Sequence, residues 1–466
     1  MMMIAAKKIK ASNNPLKVAV IGSGYIGTLN ACCFTKLGHQ VIATDVDAKR
    51  VEHLSQGILP YHEDGLQELL NEGLAKGSLR FTQSIAEAVK ASDVVVLCVG
   101  TPPMHDDKPD LAPLKRAIKQ VAEAIDDYRL IIERSTLPIE SEAWFTGLIY
   151  EHLPPQTSFD VAIIPQFVQE GTAVQDFFTL DRLVVGIYQE SQRKEKVMTQ
   201  VNALFEGIFV NRPDTPVIVT SLLNAELIKH GTNAFLAMKT AFMNHMAILC
   251  DKTESNIDVV SQGIALDRRI NSQYAFESSL GYGGVFLPKD NAALLAIASA
   301  YNMKLDLFNA VKVANRYHRQ YVINVVEQAF GRGGLRGKTL GILGLAYQEN
   351  TNDLREAPSI EILKSLVNRG ASFKIHDPMA MPHARGLVKH ATFHENPYEV
   401  AQGVDALLVL SKWESFKALS LSELARHMKA PVEGIADAAP LLIDTRGLFP
   451  KENARQAGFT YLSIGR

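Results

Sequence analysis

The chain has 466 residues, enough to bury more than one hydrophobic core. Hydrophobic residues are 47% of it and charged residues 21%, a balance that excludes a disordered chain. A formal net charge of -2, with both signs spread along the sequence, supplies no basic surface for nucleic acid or an anionic membrane, and no stretch approaches the roughly 20 apolar residues that span a bilayer.

In chain order, residues 1–16 carry lysines but no apolar signal core and read as a short frayed extension of a cytoplasmic protein. Lys17 to Ile21 reads as a buried parallel strand. It runs directly into Gly22-Ser23-Gly24-Tyr25-Ile26-Gly27 and then a helix through Leu37. Gly22 permits the tight turn, Gly24 lets the backbone approach a pyrophosphate, and Gly27 lets helix and strand pack closely. The phosphates would meet the amides and positive dipole end of that helix, beside Tyr25 and Ile26. A second strand, Val41 to Thr44, ends at Asp45. That carboxylate suits the ribose hydroxyls and repels a 2′-phosphate, so NAD is expected over NADP. Arg50, near the adenosine end, weakens that preference slightly. The bland reading of the triplet is a tight turn, but strand, triplet, helix, strand and acid occur in order.

Asp93 to Val99 and Leu130 to Glu133 read as further strands of the sheet, leading into Gly100-Thr101-Pro102-Pro103 and Arg134-Ser135-Thr136-Leu137-Pro138. Thr101 and Thr136 lie at the ligand edge of an open parallel sheet and are candidate contacts to cofactor or substrate; the alternative for each is a Thr-Pro turn with no ligand. Cys32, Cys33, Cys98 and Cys250 have neither disulfide-scaffold nor metal-ligand spacing, so no metal is expected and each suits apolar packing in a reducing compartment.

Leu222 to about Lys252 reads as a long helix. Lys229, Asn233, Thr240 and Asn244 form a polar stripe on it, either facing substrate or bound into an internal network. Gly281-Tyr282-Gly283-Gly284 reads as a loop wrapped closely on a ligand or turning through special dihedrals. Lys289-Asp290 then opens another helix, blandly a solvent-exposed start, functionally an aspartate orienting a proton-transferring lysine or water. Strands are expected at 337–344, 372–376, 405–410 and 441–444, with a helix over 359–368. They form a second α/β unit that lacks the glycine triplet and so offers a nucleotide-shaped cleft, not a second NAD site.

With these residues in hand, the chain resembles the UDP-glucose/GDP-mannose dehydrogenase family from Val18 to about Arg446. The resemblance rests on the triplet, Ser135 to Pro138, Phe167 to Gly171, Ala225 to Lys229, Asn233 to Ala237, Pro288-Lys289-Asp290, Gly344 to Tyr347 and Asn352-Asp353 with Arg355-Glu356. It implies an α/β chain in three parts: an NAD-binding Rossmann domain over 17–215, a central helical dimerisation region with the catalytic loop over 216–315, and a nucleotide-sugar-binding-like Rossmann domain over 316–466. It also implies two oxidations at C6 of a UDP- or GDP-sugar with two NAD, in a homodimer. Lys229 and Asp290, with Asn233 beside them and Thr136 near a bound water, serve the alcohol step, where a proton must leave and an oxyanion be held. Gln166, Glu170, Tyr282, Gly283, Phe286 and Gln348 fall at substrate-facing positions, and Arg269 matches an arginine that completes the sugar site across the dimer interface.

The chain departs from that pattern where the second oxidation would occur. The family's cysteine nucleophile sits in Gly-Gly-Ser-Cys-Phe-Pro-Lys-Asp, and aligned on Gly283-Gly284 and Pro288-Lys289-Asp290 the cysteine position is Phe286. The family glutamate associated with thioester chemistry is Gln166, which cannot exchange a proton at neutral pH. The lysine of the family's Gly-Leu-Ala-Phe-Lys is Gln348. The expected activity is therefore one two-electron oxidation of a nucleotide sugar or related alcohol. The alternatives are a four-electron 6-dehydrogenase with a non-standard second step, and a catalytically silent binder of NAD or nucleotide sugar.

Overall fold

The computed structural model describes residues 15–102, 104, 109–135, 137, 141–188, 192–270, 277–429 and 439–466. The chain forms two compact units. One holds the residues up to Thr232 together with Ala292–Asn302; the other holds Asn233–Asn291 and Met303–Arg466.

The first unit is built on an eight-stranded sheet of order β3-β2-β1-β4-β5-β6-β7-β8. Its strands are β1 (Lys17–Ile21), β2 (Gln40–Thr44), β3 (Leu79–Thr82), β4 (Val94–Leu97), β5 (Arg129–Glu133), β6 (Phe159–Ile163), β7 (Leu183–Ile187) and β8 (Val217–Thr220). All neighbours pair parallel except β6 with β7. Side chains alternate across each strand, so Val18 and Val20 enter one core layer and Ala19 and Ile21 the other. Burial on both faces explains why these strands read as continuous apolar runs. The order reverses between β1 and β4, and that switch point lies where the glycine-rich turn leaves β1.

The second unit carries a six-stranded, wholly parallel sheet of order β11-β10-β9-β12-β13-β14. Its strands are β9 (Thr339–Leu343), β10 (Ser372–His376), β11 (Ala391–Phe393), β12 (Ala406–Val409), β13 (Leu441–Asp444) and β14 (Thr460–Ser463). The long helix is Leu222–Thr253, and the helix opened by Lys289-Asp290 is Leu287–Ala300. Both match the sequence expectation. Among the described residues no helix is long and apolar enough to cross a membrane.

Candidate active site

The turn after β1 is shaped by what its glycines leave out. Gly22 has φ +93°, and a Cβ there would lie 2.8 Å from the Cys98 carbonyl oxygen; a Cβ on Gly27 would lie 1.7 Å from the Gly22 oxygen. A Cβ on Gly24 would meet nothing within 4 Å. That open side faces the start of the helix Tyr25–Lys36, whose N-terminus has no side-chain cap. A cradle that only a side chain would fill, at uncapped helix amides, fits a dinucleotide pyrophosphate.

Neighbouring side chains hold the cradle. Tyr25 donates its hydroxyl to Glu63 at 2.5 Å, and the same carboxylate accepts the amides of Gly171 and Ala173 at 2.8 and 2.7 Å. Tyr61 donates to the Gly24 oxygen at 3.2 Å. Ile26 is half-buried beside Tyr25. At the end of β2, Asp45 accepts the Ser23 amide at 2.9 Å, the Asp47 amide at 3.0 Å and the Arg50 guanidinium at 3.0 Å. Arg50 is thus a direct ion-pair partner of Asp45. Thr101 is buried just beyond β4, and Thr136 lies outside the described residues.

Three residues beyond the end of β6, Gln166 is buried and uses its side chain and backbone separately. Its Oε1 accepts from Asn30 at 2.7 Å, while its main-chain oxygen accepts from the Lys229 ammonium at 2.7 Å. Phe167 lies under two cations, with Arg182 4.0 Å and Lys229 5.3 Å from its ring centroid. Glu170 is also buried in this unit.

In the second unit Asn233 donates its amide to Asp290, which is 1% exposed. Lys289 lies 3.9 Å from the other Asp290 oxygen, and burial lowers its pKa. The bland reading of Lys289-Asp290 as a solvent-exposed helix start is therefore corrected: the first turn of Leu287–Ala300 faces inward. Asn244 accepts the Ser279 amide at 2.7 Å, whereas Thr240 only bonds back to Leu236 of its own helix. The polar stripe is a set of hydrogen-bond anchors except at Thr240.

The glycine loop is clasped from the helix Asp306–Gln328, which the sequence reading did not single out. Asn315 accepts the Tyr282 amide at 2.9 Å and donates to the Tyr282 oxygen at 2.9 Å; Arg319 donates to that oxygen at 2.7 Å. Their i, i+4 spacing was the available signal. Gly283 packs so closely on the Glu356 carbonyl that a side chain has no room.

Three family models match in order: the NAD binding domain over 16–207, the central domain over 223–317 and the UDP binding domain over 341–450 of the UDP-glucose/GDP-mannose dehydrogenase family. The chain belongs to the UDP-glucose/GDP-mannose dehydrogenase family. It is similar to the UDP-glucose 6-dehydrogenase of Rhizobium meliloti, at 35% identity over 97% of this chain and 100% of that one. It is also similar to UDP-glucose 6-dehydrogenase TuaD of Bacillus subtilis, at 33% over 97% and 93%. A solved UDP-glucose dehydrogenase from Pyrobaculum islandicum superposes with a TM-score of 0.86 at 30% identity, covering 98% of this chain and 99% of that one. The chain is an NAD-dependent oxidoreductase of the nucleotide-sugar dehydrogenase family, acting on CH–OH; NAD supplies the hydride acceptor when bound.

In this family member, Phe286 is half-buried at the foot of the glycine loop, its oxygen accepting the Asp290 amide at 2.9 Å. Cys32, Cys33, Cys98 and Cys250 are all buried, and burial pushes the Cys32 and Cys98 thiols up to about 12, far from the thiolate state. In the UDP binding domain, Asp377 stands just past β10, as Asp45 stands past β2. It is fully buried, and its oxygens accept the amides of Leu345, Ala346, Met379 and Ala380 at 2.6 to 3.0 Å and the Trp413 indole at 3.2 Å. An acid so engaged has no acceptor left for a ribose. Gln348 is half-buried and its oxygen accepts from Thr351 at 2.8 Å. Arg269 is exposed and forks onto Asp267, its Nη2 lying 2.5 Å from one carboxylate oxygen.

Proposed function

We propose that this enzyme oxidises a nucleotide sugar once per turnover, by two electrons, and releases an aldehyde or ketone. The observation that carries the reading is the joint loss of the two acyl-chemistry groups. Phe286 has no nucleophilic atom, and Gln166 in place of a carboxylate holds Asn30 rather than exchanging protons. The buried cysteines supply no substitute thiolate.

Lys229 takes the substrate hydroxyl's proton, and Asp290, held by Asn233, orients that hydroxyl or its water; Thr136 adds a contact. Gly22, Gly24, Tyr25, Ile26, Gly27, Asp45, Arg50 and Thr101 hold NAD. Gln166, Glu170, Tyr282, Gly283, Phe286 and Gln348 face the sugar nucleotide, with Arg269 contributed across a homodimer interface. Support for the dimer comes from Phe235, Phe242 and Leu249, large apolar side chains that the long helix leaves exposed. The three-part division at 17–215, 216–315 and 316–466 and a cytoplasmic location complete the reading.

A second reading is favoured by the relatives named above, which are UDP-glucose 6-dehydrogenases: a four-electron oxidation to a uronic acid, its second step using a hydrated aldehyde. Mass spectrometry after incubation with NAD and UDP-glucose or GDP-mannose, with an alkoxyamine present to trap carbonyls, separates the two. The trapped carbonyl supports a single oxidation; a free carboxylate overturns it.

A further inference from the structure

The loop from Ile164 to Thr172 runs between β6 and the helix Ala173–Phe178, and the Gln166 oxygen within it accepts from the Lys229 ammonium at 2.7 Å. A lysine on its flexible four-carbon stem keeps one position only if its acceptor is held still. Both ends of this loop are tied to the helix Tyr25–Lys36, whose N-terminus forms the nucleotide cradle. At the Gln166 end, Asn30 donates its amide to Gln166 Oε1 at 2.7 Å. At the far end, Glu63 accepts the amides of Gly171 and Ala173 at 2.8 and 2.7 Å and the Tyr25 hydroxyl at 2.5 Å. Between them the loop keeps its own shape, because Asp176 accepts the Gln169 amide at 2.8 Å and the Thr172 hydroxyl at 3.1 Å.

Glu63 is the node of this arrangement. It is 2% exposed, and hydrogen bonds to an ionised acceptor in such a place are about twice as strong as neutral ones. Gly171 has φ +91°, the left-handed backbone at which the chain turns its amides onto that carboxylate. The Tyr25 bond has a different purpose. The carboxylate alone satisfies the two loop amides, and a phenylalanine at 25 would fill the same space. What the hydroxyl adds is a link between the loop and the cofactor turn, since the Tyr25 backbone belongs to the uncapped first turn while its side chain ends on Glu63.

We propose that Glu63 is a positioning residue for Lys229: through Tyr25 it ties the turn that receives the NAD pyrophosphate to the loop that holds the lysine, so that bound NAD fixes Lys229 for the alcohol step. The inference rests on the reading that Lys229 takes the substrate hydroxyl's proton. Phosphates at the helix start hold the backbone of the turn. A turn so held restricts the Tyr25 ring, the ring restricts the Glu63 carboxylate, and the carboxylate restricts the two amides at the end of the loop. The effect is reciprocal, because whatever order NAD gives the loop, the ordered loop returns to NAD as affinity. Placement of this kind matters to rate, since a reacting group displaced by about 1 Å costs on the order of a hundredfold.

Labelling of lysines with acetic anhydride, read by peptide mass spectrometry, tests the tie without a substrate. In the parent protein saturating NAD should slow acetylation of Lys229 about tenfold, while Lys119, half-exposed on the helix Ala112–Ala124, labels at one rate throughout. Tyr25→Phe keeps the ring, the backbone amide and both loop amides on Glu63. With NAD at saturation, checked by fluorescence titration, it should slow Lys229 by less than about twofold. Glu63→Gln offers one oxygen to three donors and should raise Lys229 labelling in the absence of NAD about tenfold. With UDP-glucose or GDP-mannose, whichever the parent oxidises, Tyr25→Phe should lower kcat about tenfold and change KM for the sugar nucleotide by less than about twofold. A Tyr25→Phe protein in which NAD protects Lys229 as in the parent shows that the cofactor merely covers the lysine and overturns the proposal, even if Glu63→Gln fails to fold. So does a parent whose Lys229 labels at one rate with and without NAD. Loss of protection with kcat at the parental value would instead overturn the reading of Lys229 as the proton acceptor, on which the proposal rests.

Discussion

Lys229 donates its ammonium to the backbone oxygen of Gln166 at 2.7 Å, so the contact that places this lysine does not depend on the side chain at position 166. A glutamate could become Gln166 without displacing Lys229. Under the proposed roles of Lys229 and position 166, the alcohol step and the acyl step can therefore be lost separately. Lys229→Ala should reduce kcat/KM by about 10²- to 10⁴-fold, the range of a lost acid–base group, while NAD affinity measured by fluorescence titration stays unchanged. An equal loss of NAD binding would place Lys229 in the cofactor site instead.

The nucleotide cradle makes a paired prediction. Gly24→Ala has room and ordinary backbone angles, so the melting temperature should hold or rise slightly, yet NAD binding should fail because the methyl occupies the phosphate side. Gly27→Ala puts a methyl into the Gly22 carbonyl and should cost the folded protein itself. Calorimetry with and without NAD distinguishes the two effects. A Gly24→Ala protein that binds NAD normally would contradict the placement of the pyrophosphate.

Asn315→Ala removes both hydrogen bonds to the Tyr282 backbone and leaves a buried amide without its acceptor. We expect about 1–3 kcal/mol of lost stability in urea unfolding. The glycine loop leading to Asp290 should also loosen, lowering kcat more than KM is raised. A variant with parental kcat would show that the clasp is purely structural.

Stability should depend on His318, which burial holds at a pKa of about 4 while its Nε2 lies 2.7 Å from the Ser279 oxygen. A histidine released on unfolding recovers its ordinary value near 6.5. Between these values the unfolded chain binds the extra proton, so this contribution is complete above about 6.5 and is lost as pH falls toward about 4. His318→Gln should flatten that part of the stability curve, and an unchanged acid slope in the variant would assign it to other groups.

Much of the nucleotide site could be read directly, because its signal is local. β1, the glycine triplet, the first helix, β2 and Asp45 occupy one short stretch, and each step restricts the next. The same holds for the long helix and for β9, β10, β12 and β13. Clasps assembled from remote segments were not legible. Asn315 and Arg319 lie over thirty residues from the loop they hold, and their i, i+4 spacing shows a shared helix face without showing what it holds; Glu63 caps Gly171 and Ala173 from more than a hundred residues away, with no period to detect. β6, β7 and β8 were missed because their short apolar runs lack a flanking motif. Lys289-Asp290 showed its charges plainly but not its burial, which depends on how the first turn of its helix packs.

The most direct test of the central claim is the ratio of NADH formed to nucleotide sugar consumed at completion, with the product identified. A ratio near one with an aldehyde or ketone product is the predicted result. A ratio near two with a carboxylate product would contradict it and show that Phe286 and Gln166 do not prevent the second oxidation.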